Sequence, residues 1–337
     1  MTLQQVAAQA QVSPMTVSNF VNGKHHFMGA ETKTRVAEAV AALNYRPDSA
    51  ARGLRTARQR SIGMIVVDQS PQYLSDGFST QVVSGLSNAV NAAGYTLQLE
   101  GLRPDQLAQS TLIHHVRTDG LCMMLSGSGS ARKAFTDAVG RLNQPALLFL
   151  EKPKRGLADC CAVLQDDRRG GHLITRHLLE RGARRFWLLK QSHTQWQAIR
   201  EREKGVAQAL AESGRTTGLH AVDCGSGRFE ETQVALRQAL TKTSPTDAII
   251  AMNDQMGIAA LKFLKSRGAR IPQDIKITGF NAFDFWQYSD PLLTTIRSPG
   301  YDIGTTAGHE MIHRLKAGQF QKRSITLDVE LIQGGTT

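Results

Sequence analysis

Residues 13–24 hold the side chains whose types and spacing point most directly to a recognition chemistry. Thr16, Ser18 and Asn19 fall on one side of a predicted helix, with Met15 beside them. Hydroxyl and amide groups of this size can hydrogen-bond to base edges and phosphates when a helix enters the major groove of DNA. The spacing therefore favours a DNA-reading surface, although an ordinary helical hairpin, common in any protein, would have the same pattern.

Two short helices joined by a tight turn must position these side chains. Thr2 and Gln5 have the spacing of a capping box, which predicts the start of the first helix. Ser13 followed by Pro14 predicts the start of the second, because Ser is a favourable N-cap and Pro at the first helical position loses no hydrogen bond. A third helix is predicted over residues 30–43. The apolar residues expected to pack these helices together are Leu3, Val6, Val17, Phe20, Val21, Val36, Val40 and Leu43.

Positive charge is concentrated near the start of the chain. The 337 residues have a formal net charge of +11, and 41% of them are hydrophobic, which is enough for two or three packed domains. Residues 1–60 contain eight bases and three acids, which favours a polyanionic partner without identifying it. No run approaches the ~18 apolar residues of a membrane span, and no apolar signal region precedes the first helix, so we expect a cytoplasmic protein without a membrane partner.

A basic segment, residues 46–60, follows the three helices. Pro47 ends the preceding helix because the residue before a proline resists helical geometry. Residues 48–55 could form a short helix, but Gly53 and the small number of turns make it too weak to be stable alone. We expect this hinge helix to order on contact with DNA.

From Ser61 onward, short apolar runs alternate with amphipathic helical stretches. The predicted strands are Ile62–Val67, Tyr95–Leu99, Gly120–Leu125, Ala146–Leu150, Ala162–Gln165, Phe186–Lys190, His220–Cys224, Ala248–Met252 and Ile275–Phe280. Such runs are typical of parallel strands buried on both faces of a sheet. The first four and the next five strands form two similar series, which predicts an α/β core of two doubly wound subdomains with a ligand cleft between them.

These segments resemble the LacI/GalR family of bacterial transcription regulators over essentially the whole chain. Residues 2–22 are similar to the family's opening pattern TLxDVAxxAGVSxxTVSxxLN, and residues 45–56 (YRPDSAARGLRT) are similar to its hinge. Residues 251–256 (AMNDQM), 271–275 (IPQDI) and 290–296 (DPLLTTI) match landmarks of its C-terminal half. The resemblance implies a small all-α helix-turn-helix domain followed by a two-lobed core of the periplasmic-binding-protein type.

The expected boundaries follow from this resemblance. We predict a helix-turn-helix domain over residues 1–45, a hinge helix and linker over 46–60, and an effector-binding and dimerisation core over 61–337. Within the core, the N-subdomain is expected to comprise residues 61–160 plus 292–325, and the C-subdomain residues 161–290.

The resemblance also implies a function. Members of the family are homodimers that read a near-palindromic double-stranded operator, mostly as repressors, and insert a leucine, here Leu54, into the minor groove. The residues expected to contact DNA are Thr2, Pro14, Met15, Thr16, Ser18, Asn19, Asn22, Lys24, Ala51, Leu54 and Arg55. The alternative is a two-lobed sugar-binding protein without operator function, against which the added residues 1–60 argue.

Several positions depart from the family's pattern. Gln11 stands at the turn glycine, so a non-glycine residue must adopt the left-handed conformation or the turn must adjust. Pro14 and Met15 stand at base-reading positions and offer only apolar contacts, for instance to a thymine methyl group. Asn19 could pair with adenine through two hydrogen bonds, so we expect a half-site read mainly through A·T pairs.

A small-molecule effector, expected to be a sugar or a sugar-derived metabolite, is implied for the cleft. The residues expected to bind it are Phe78, Glu151, Arg202, Phe229, Asn253 and Asn281. Residues 68–77 form a longer loop than is usual in the family and would reshape the mouth of the cleft. If Arg168 and Arg169 lie near that mouth, an anionic effector such as a sugar acid or sugar phosphate becomes plausible; solvated helix arginines are the open alternative.

One motif suggests a different chemistry. Residues 309–313 (HEMIH) spell H-E-x-x-H, which places two imidazoles on one helix face as in zinc proteases. The motif coincides with an amphipathic helix near the end of the sequence, and the four cysteines lack metal-ligand spacing. We therefore expect no catalytic residues, no metal and no cofactor.

Overall fold

A computed structural model of the chain describes residues 1–46, 58–153, 156–191, 196–214, 218–242 and 246–337. The chain separates into two compact units, Met1–Gln59 and Arg60–Thr337. The expected hinge helix, with Ala51, Leu54 and Arg55, lies outside the described residues.

The smaller unit contains three helices, α1 (Leu3–Gln9), α2 (Pro14–Val21) and α3 (Ala30–Ala42). A 3-10 turn, His25–Phe27, lies between α2 and α3. The buried core of this unit consists of Val6, Ala7, Ala10, Val17, Val36 and Ala39. The other residues predicted for the core pack against it while remaining partly exposed; they are Leu3, Phe20, Val21, Val40 and Leu43. The predicted three-helix unit is confirmed.

The first lobe of the larger unit is built on a six-stranded parallel sheet. The strand order is β11-β5-β4-β3-β1-β2, with β1 Ser61–Val67, β2 Thr96–Leu102, β3 Gly120–Leu125, β4 Ala146–Phe149, β5 Cys160–Gln165 and β11 Ser324–Leu327. Alternate residues of β1 belong to two separate apolar clusters, so both faces of the sheet are covered. One face packs against α4 (Gly77–Ala92) and α11 (Gly300–Ala317), and the other against α5 (Thr111–His114) and α6 (Gly129–Gly140).

The second lobe is built on a four-stranded parallel sheet. Its order is β7-β6-β8-β9, with β6 Phe186–Lys190, β7 Leu219–Asp223, β8 Ala248–Ala251 and β9 Lys276–Thr278. Its helices are α7 (Asp167–Glu180), α8 (Gln197–Glu212), α9 (Phe229–Lys242) and α10 (Asp254–Lys265). An antiparallel pair, β10 (Thr295–Arg297) and β12 (Glu330–Ile332), completes the described strands.

The boundary between the lobes differs from the expected one. The second subdomain was expected to begin at residue 161, but β5 pairs with β4 in the first sheet, where Phe149 lies opposite Val163. The chain therefore crosses between the lobes after Gln165. The short strands β10, β11 and β12 were not predicted, because runs of three or four residues are too short to give a clear apolar pattern. At its end the chain returns to the second lobe, where the Ile277 amide donates to the Thr336 carbonyl.

Helices α4 and α11 approach each other backbone to backbone. A Cβ atom on Gly304 would lie 2.1 Å from the carbonyl oxygen of Val82, and one on Gly85 would lie 2.1 Å from that of Tyr301. Only glycine fits these two positions, because helix backbone cannot move aside as a flexible side chain can.

Replacing Gly304 by alanine is expected to lower the free energy of unfolding of the larger unit by about 3 kcal/mol, because the added methyl group separates two packed helices. The urea midpoint followed by circular dichroism measures the effect. Gly129→Ala is the matched control, since nothing lies within 4 Å of a Cβ at that position, and it should change stability by less than ~0.5 kcal/mol. Equal midpoints for the two variants would contradict the packing argument.

Candidate functional site

The DNA-reading surface predicted on the smaller unit is accessible in the structure. Val17 of α2 is fully buried, whereas Pro14 is exposed and Met15 is 64% exposed. Asn19 is half-buried on the same helix, and Lys24 is exposed just beyond it. The helix thus buries its apolar side and leaves outside the short polar and apolar groups expected to read bases.

Hydrogen bonds within the unit fix the two helices at their starts. The Thr2 hydroxyl accepts from the Gln5 amide at 3.3 Å, while the Gln5 side chain accepts from the Thr2 amide at 2.8 Å, which completes the predicted capping box. The Ser13 hydroxyl accepts from the Thr16 amide at 3.1 Å at the start of α2. Gln11 in the turn has φ of 52°, so a non-glycine residue does adopt the left-handed conformation there.

Two further residues of the predicted surface are tied to each other. The Asn22 side-chain amide donates to the Ser18 carbonyl at 2.6 Å and ends α2. This bond leaves the Asn22 side chain at the end of the helix rather than on its first turn.

A cleft of about 720 Å³ lies between the two lobes of the larger unit. Residues from both lobes line it, among them Asp68, Gln69, Ser70, Gln72, Tyr73, Asp76, Phe78, Gln191, Trp196, Arg202, Ser226, Arg228, Glu231, Asn253, Gln255 and Asn281. Aromatic rings and side-chain amides predominate in this set. Such a lining suits a small polar ligand with an apolar face.

Arg202 is held at the base of the cleft by a network of fixed partners. It is 4% exposed, and its Nε donates to Asp167 Oδ1 at 2.8 Å. Its two terminal nitrogens donate to the Met252 carbonyl at 2.7 Å and to Asn281 Oδ1 at 3.2 Å. The guanidinium also stacks on the Phe280 ring, with 3.6 Å between its carbon and the ring centroid. Arg202 therefore joins α7, α8 and the segments that follow β8 and β9 into one wall.

The predicted effector residues fall into two groups. Phe78, Arg202, Asn253 and Asn281 line the cleft. Glu151 and Phe229 are not among the lining residues: the Glu151 carboxylate is buried 3.4 Å from Arg132 Nε, and the Phe229 ring lies under the Lys262 ammonium at 5.2 Å. Their neighbours in sequence, Leu150 and Arg228, line the cleft instead, so each of the two predicted positions was displaced by one residue.

The arginines expected at the mouth of the cleft lie elsewhere. Arg168 donates to Gln208 at 2.9 Å, and Arg169 pairs with Asp328 at 2.9 Å. Neither lines the cleft, so the hypothesis of an anionic effector loses the charges on which it depended. The lining instead contains acids, among them Asp68 and Asp76. Desolvation raises the pKa of both, and hydrogen bonds to their carboxylates, with a smaller contribution from a nearby arginine, offset this rise only in part.

Three groups of cleft residues were missed from the sequence. They are the loop side chains Gln69, Ser70, Gln72 and Tyr73, the second-lobe residues Gln191 and Trp196, and Arg228 with Glu231. The long loop after β1 was a usable signal for the first group, because loops at the carboxyl ends of parallel strands face the ligand. Gln191 and Trp196 follow β6, and Arg228 and Glu231 follow β7, in the same way. Their residue types alone did not indicate that they bind a ligand.

Asp254 is a buried acid next to the cleft residue Asn253. Its carboxylate accepts from the Thr295 hydroxyl at 2.5 Å and from the Phe283 amide at 3.1 Å. Burial raises its pKa to about 7. Asp254 thus connects the start of α10 to β10 and to the segment around Asn281, which has φ of 109°.

Two of the three H-E-x-x-H side chains, Glu310 and His313, have structural partners. Glu310 is buried and accepts from the Gln321 amide at 3.2 Å, and His313 Nδ1 lies 3.3 Å from the Gln321 side-chain nitrogen. In the part of the chain that the structure describes, no group of three or more His, Cys, Asp or Glu side chains could hold a metal ion. All four cysteines are buried, and burial raises the pKa of Cys160, Cys161 and Cys224 to about 12. No helix within the described ranges is both long enough and apolar enough to cross a membrane.

Comparison with known proteins gives matches at both ends of the chain. A family model for bacterial regulatory proteins of the lacI family matches residues 2–48, and one for a periplasmic binding protein-like domain matches residues 175–337. The chain is 30% identical over 336 residues to the HTH-type transcriptional repressor PurR of Photobacterium profundum, an alignment that covers 98% of this chain and 97% of that protein.

Solved structures agree with the fold. The Lac repressor bound to ONPG in the repressed state superposes with a TM-score of 0.84 at 23% identity, covering 100% of this chain and 99% of that one. The Lac repressor dimer bound to operator and the anti-inducer ONPF superposes with a TM-score of 0.81 at 24% identity, covering 100% and 98%.

Proposed function

The chain belongs to the lacI family of bacterial regulatory proteins and is a DNA-binding transcriptional regulator, and we propose that it is a repressor controlled by a small polar effector. The observation that carries the proposal is the pairing of an accessible, capped reading helix, α2, with a ligand-sized cleft in the larger unit. The relative named as a repressor aligns over both parts. In this proposal the protein acts as a homodimer, in the compartment that holds the DNA, and carries out no catalysis.

The operator is proposed to be read through α2. Pro14 and Met15 would make apolar contacts in the major groove and Asn19 would pair with adenine, while Thr2, Thr16, Ser18, Asn22 and Lys24 would hold the phosphates. Leu54 is proposed as the minor-groove wedge, with Ala51 and Arg55 beside it. A half-site rich in A·T pairs follows from this surface.

Binding-site selection from a random DNA pool at stated salt tests the reading surface. The wild-type chain should return paired half-sites with a preferred adenine, and Asn19→Ala should lose that preference with a roughly tenfold or greater loss of affinity. Gln9→Ala, an exposed change on α1, is the matched control and should leave the selected sequence unchanged. Selection of a guanine at the Asn19 position, unaltered in Asn19→Ala, would refute the assignment.

The effector is proposed to be a neutral polyhydroxylated molecule of the sugar class. Two arginines line the cleft against three acids, and Arg202 is already paired with Asp167, so the cleft offers no excess positive charge to an anion. The amides of Gln69, Gln191 and Asn253 can bond to hydroxyl groups, and the Trp196 ring can cover an apolar sugar face. A thermal-shift screen should find neutral sugars raising the unfolding temperature more than sugar phosphates do; the reverse order would reinstate an anionic effector.

A further inference from the structure

The rim of the cleft is bridged by one side chain. Arg228 lies just before α9 in the second lobe, and its Nη2 donates to Gln72 Oε1 at 2.9 Å and to Ser70 Oγ at 3.1 Å. Both acceptors belong to residues 68–76 of the first lobe, which we name the rim segment. These two hydrogen bonds therefore join the lobes across the mouth of the cleft.

The rim segment is shaped to receive this guanidinium. The Ser70 amide donates to Asp68 Oδ1 at 2.7 Å, and the Gln72 amide donates to Ser70 Oγ at 3.1 Å. The Ser70 hydroxyl is thereby fixed where Arg228 meets it. Burial raises the pKa of Asp68, and the positive charge of Arg228 offsets a small part of this rise, so the two side chains attract each other across the rim.

The chemistry of this bridge makes it reversible. The acceptors are a neutral hydroxyl and a neutral amide, and Arg228 is exposed. Hydrogen bonds of this kind each shift an equilibrium by about threefold to tenfold, because water competes for both partners.

We propose that Arg228 and the rim segment form a latch that holds the two lobes together at the mouth of the cleft. The inference rests on the proposed function for its biological meaning, since the latch would control entry of the effector. Opening the latch breaks the two bonds from Arg228, and the lobes separate at the rim while other contacts between the lobes persist. One of these contacts is made by Phe283, whose ring would lie 2.8 Å from a Cβ on Gly77.

Trp196 gives the latch an optical readout. It lines the cleft and is partly buried against the apolar clusters of both lobes. The two other tryptophans, Trp187 and Trp286, are buried in the second lobe. Quenching of tryptophan fluorescence by acrylamide therefore reports mainly the access of a small neutral solute to the cleft.

The test uses the full chain with neither ligand nor DNA. Arg228→Gln removes both bonds, so it should raise the acrylamide quenching constant and speed hydrogen exchange of the rim-segment amides by about tenfold to a hundredfold. Arg237→Gln removes an exposed arginine from α9 and should change neither quantity. Gln72→Glu should have the opposite effect, because a carboxylate strengthens the bond to Arg228 and slows both quenching and exchange.

Equal behaviour of Arg228→Gln and Arg237→Gln would overturn the latch, as would faster exchange in Gln72→Glu. Because these measurements involve neither operator nor effector, a failed latch leaves the regulator proposal standing. Failure of operator binding would in turn leave the latch intact.

Discussion

Replacement of Arg202 by methionine is expected to lower the free energy of unfolding of the larger unit by about 3–5 kcal/mol, because it leaves a buried carboxylate without its counter-charge. Asp167 is 5% exposed, and Arg202 Nε is its cationic partner at 2.8 Å. The same change removes the bonds to the Met252 carbonyl and to Asn281, so the cleft wall loses its fixed geometry as well. Urea unfolding followed by circular dichroism gives the free energy.

A double variant separates the charge from the packing. Asp167→Asn combined with Arg202→Met buries no charge and should recover at least ~1 kcal/mol of the single variant's loss. Arg202→Lys should fall between wild type and Arg202→Met, since an ammonium group keeps the charge but cannot reach three acceptors at once. If the double variant were less stable than Arg202→Met, the loss would come from packing and the buried-charge explanation would be wrong.

The second large effect is a dependence of stability on pH that Asp254 controls. Its folded-state pKa of about 7 exceeds the ~3.9 of an unfolded aspartate. The folded chain therefore keeps a proton that the unfolded chain has released. The contribution of Asp254 to the free energy of unfolding is therefore fully present below about pH 4. It falls as the pH rises and is lost above about pH 7.

Asp254→Asn should remove this contribution, because asparagine does not titrate. We expect the fall in unfolding free energy between pH 5 and pH 8 to be about 2–3 kcal/mol smaller in the variant than in the wild type, whatever its absolute stability. The raised pKa values of Asp68, Asp76 and Asp167 remain in both proteins and cancel from the comparison.

Asp247→Asn is the control for this measurement. Its hydrogen bond with Arg185 lowers the pKa of Asp247, so that group titrates below the measured range and its loss should leave the pH 5 to pH 8 difference unchanged. Equal pH dependence in the wild type and Asp254→Asn would show that Asp254 stays ionised in the folded protein.

The helix-turn-helix unit could be predicted closely from the sequence because its signals are local. The Thr2 and Gln5 capping box, Ser13 before Pro14, and apolar residues at helical spacing each depend on neighbours within four positions. The family assignment is confirmed for the same reason, since its motifs are short and occur in order along the chain.

Residues in the cleft were harder to predict because they are brought together from separate strands. Glu151 and Phe229 were each one position from a residue that does line the cleft. Glu151 lies in the loop after β4 and Phe229 begins α9, and at such positions neighbouring side chains point in different directions. The position of β5 was misjudged because its apolar pattern fits either sheet, and only pairing with β4 and β11 decides between them.

The sequence by itself determined the family, the two kinds of unit and the residues that face outward from α2, because these depend on local spacing and on motif order. The tertiary structure alone decided which charges meet in the cleft. Arg168 and Arg169 pair away from it, Arg202 is bound to Asp167, and Arg228 reaches the rim segment. The physical reason is that pairing of charges depends on distances between side chains far apart in the sequence, which no local pattern encodes.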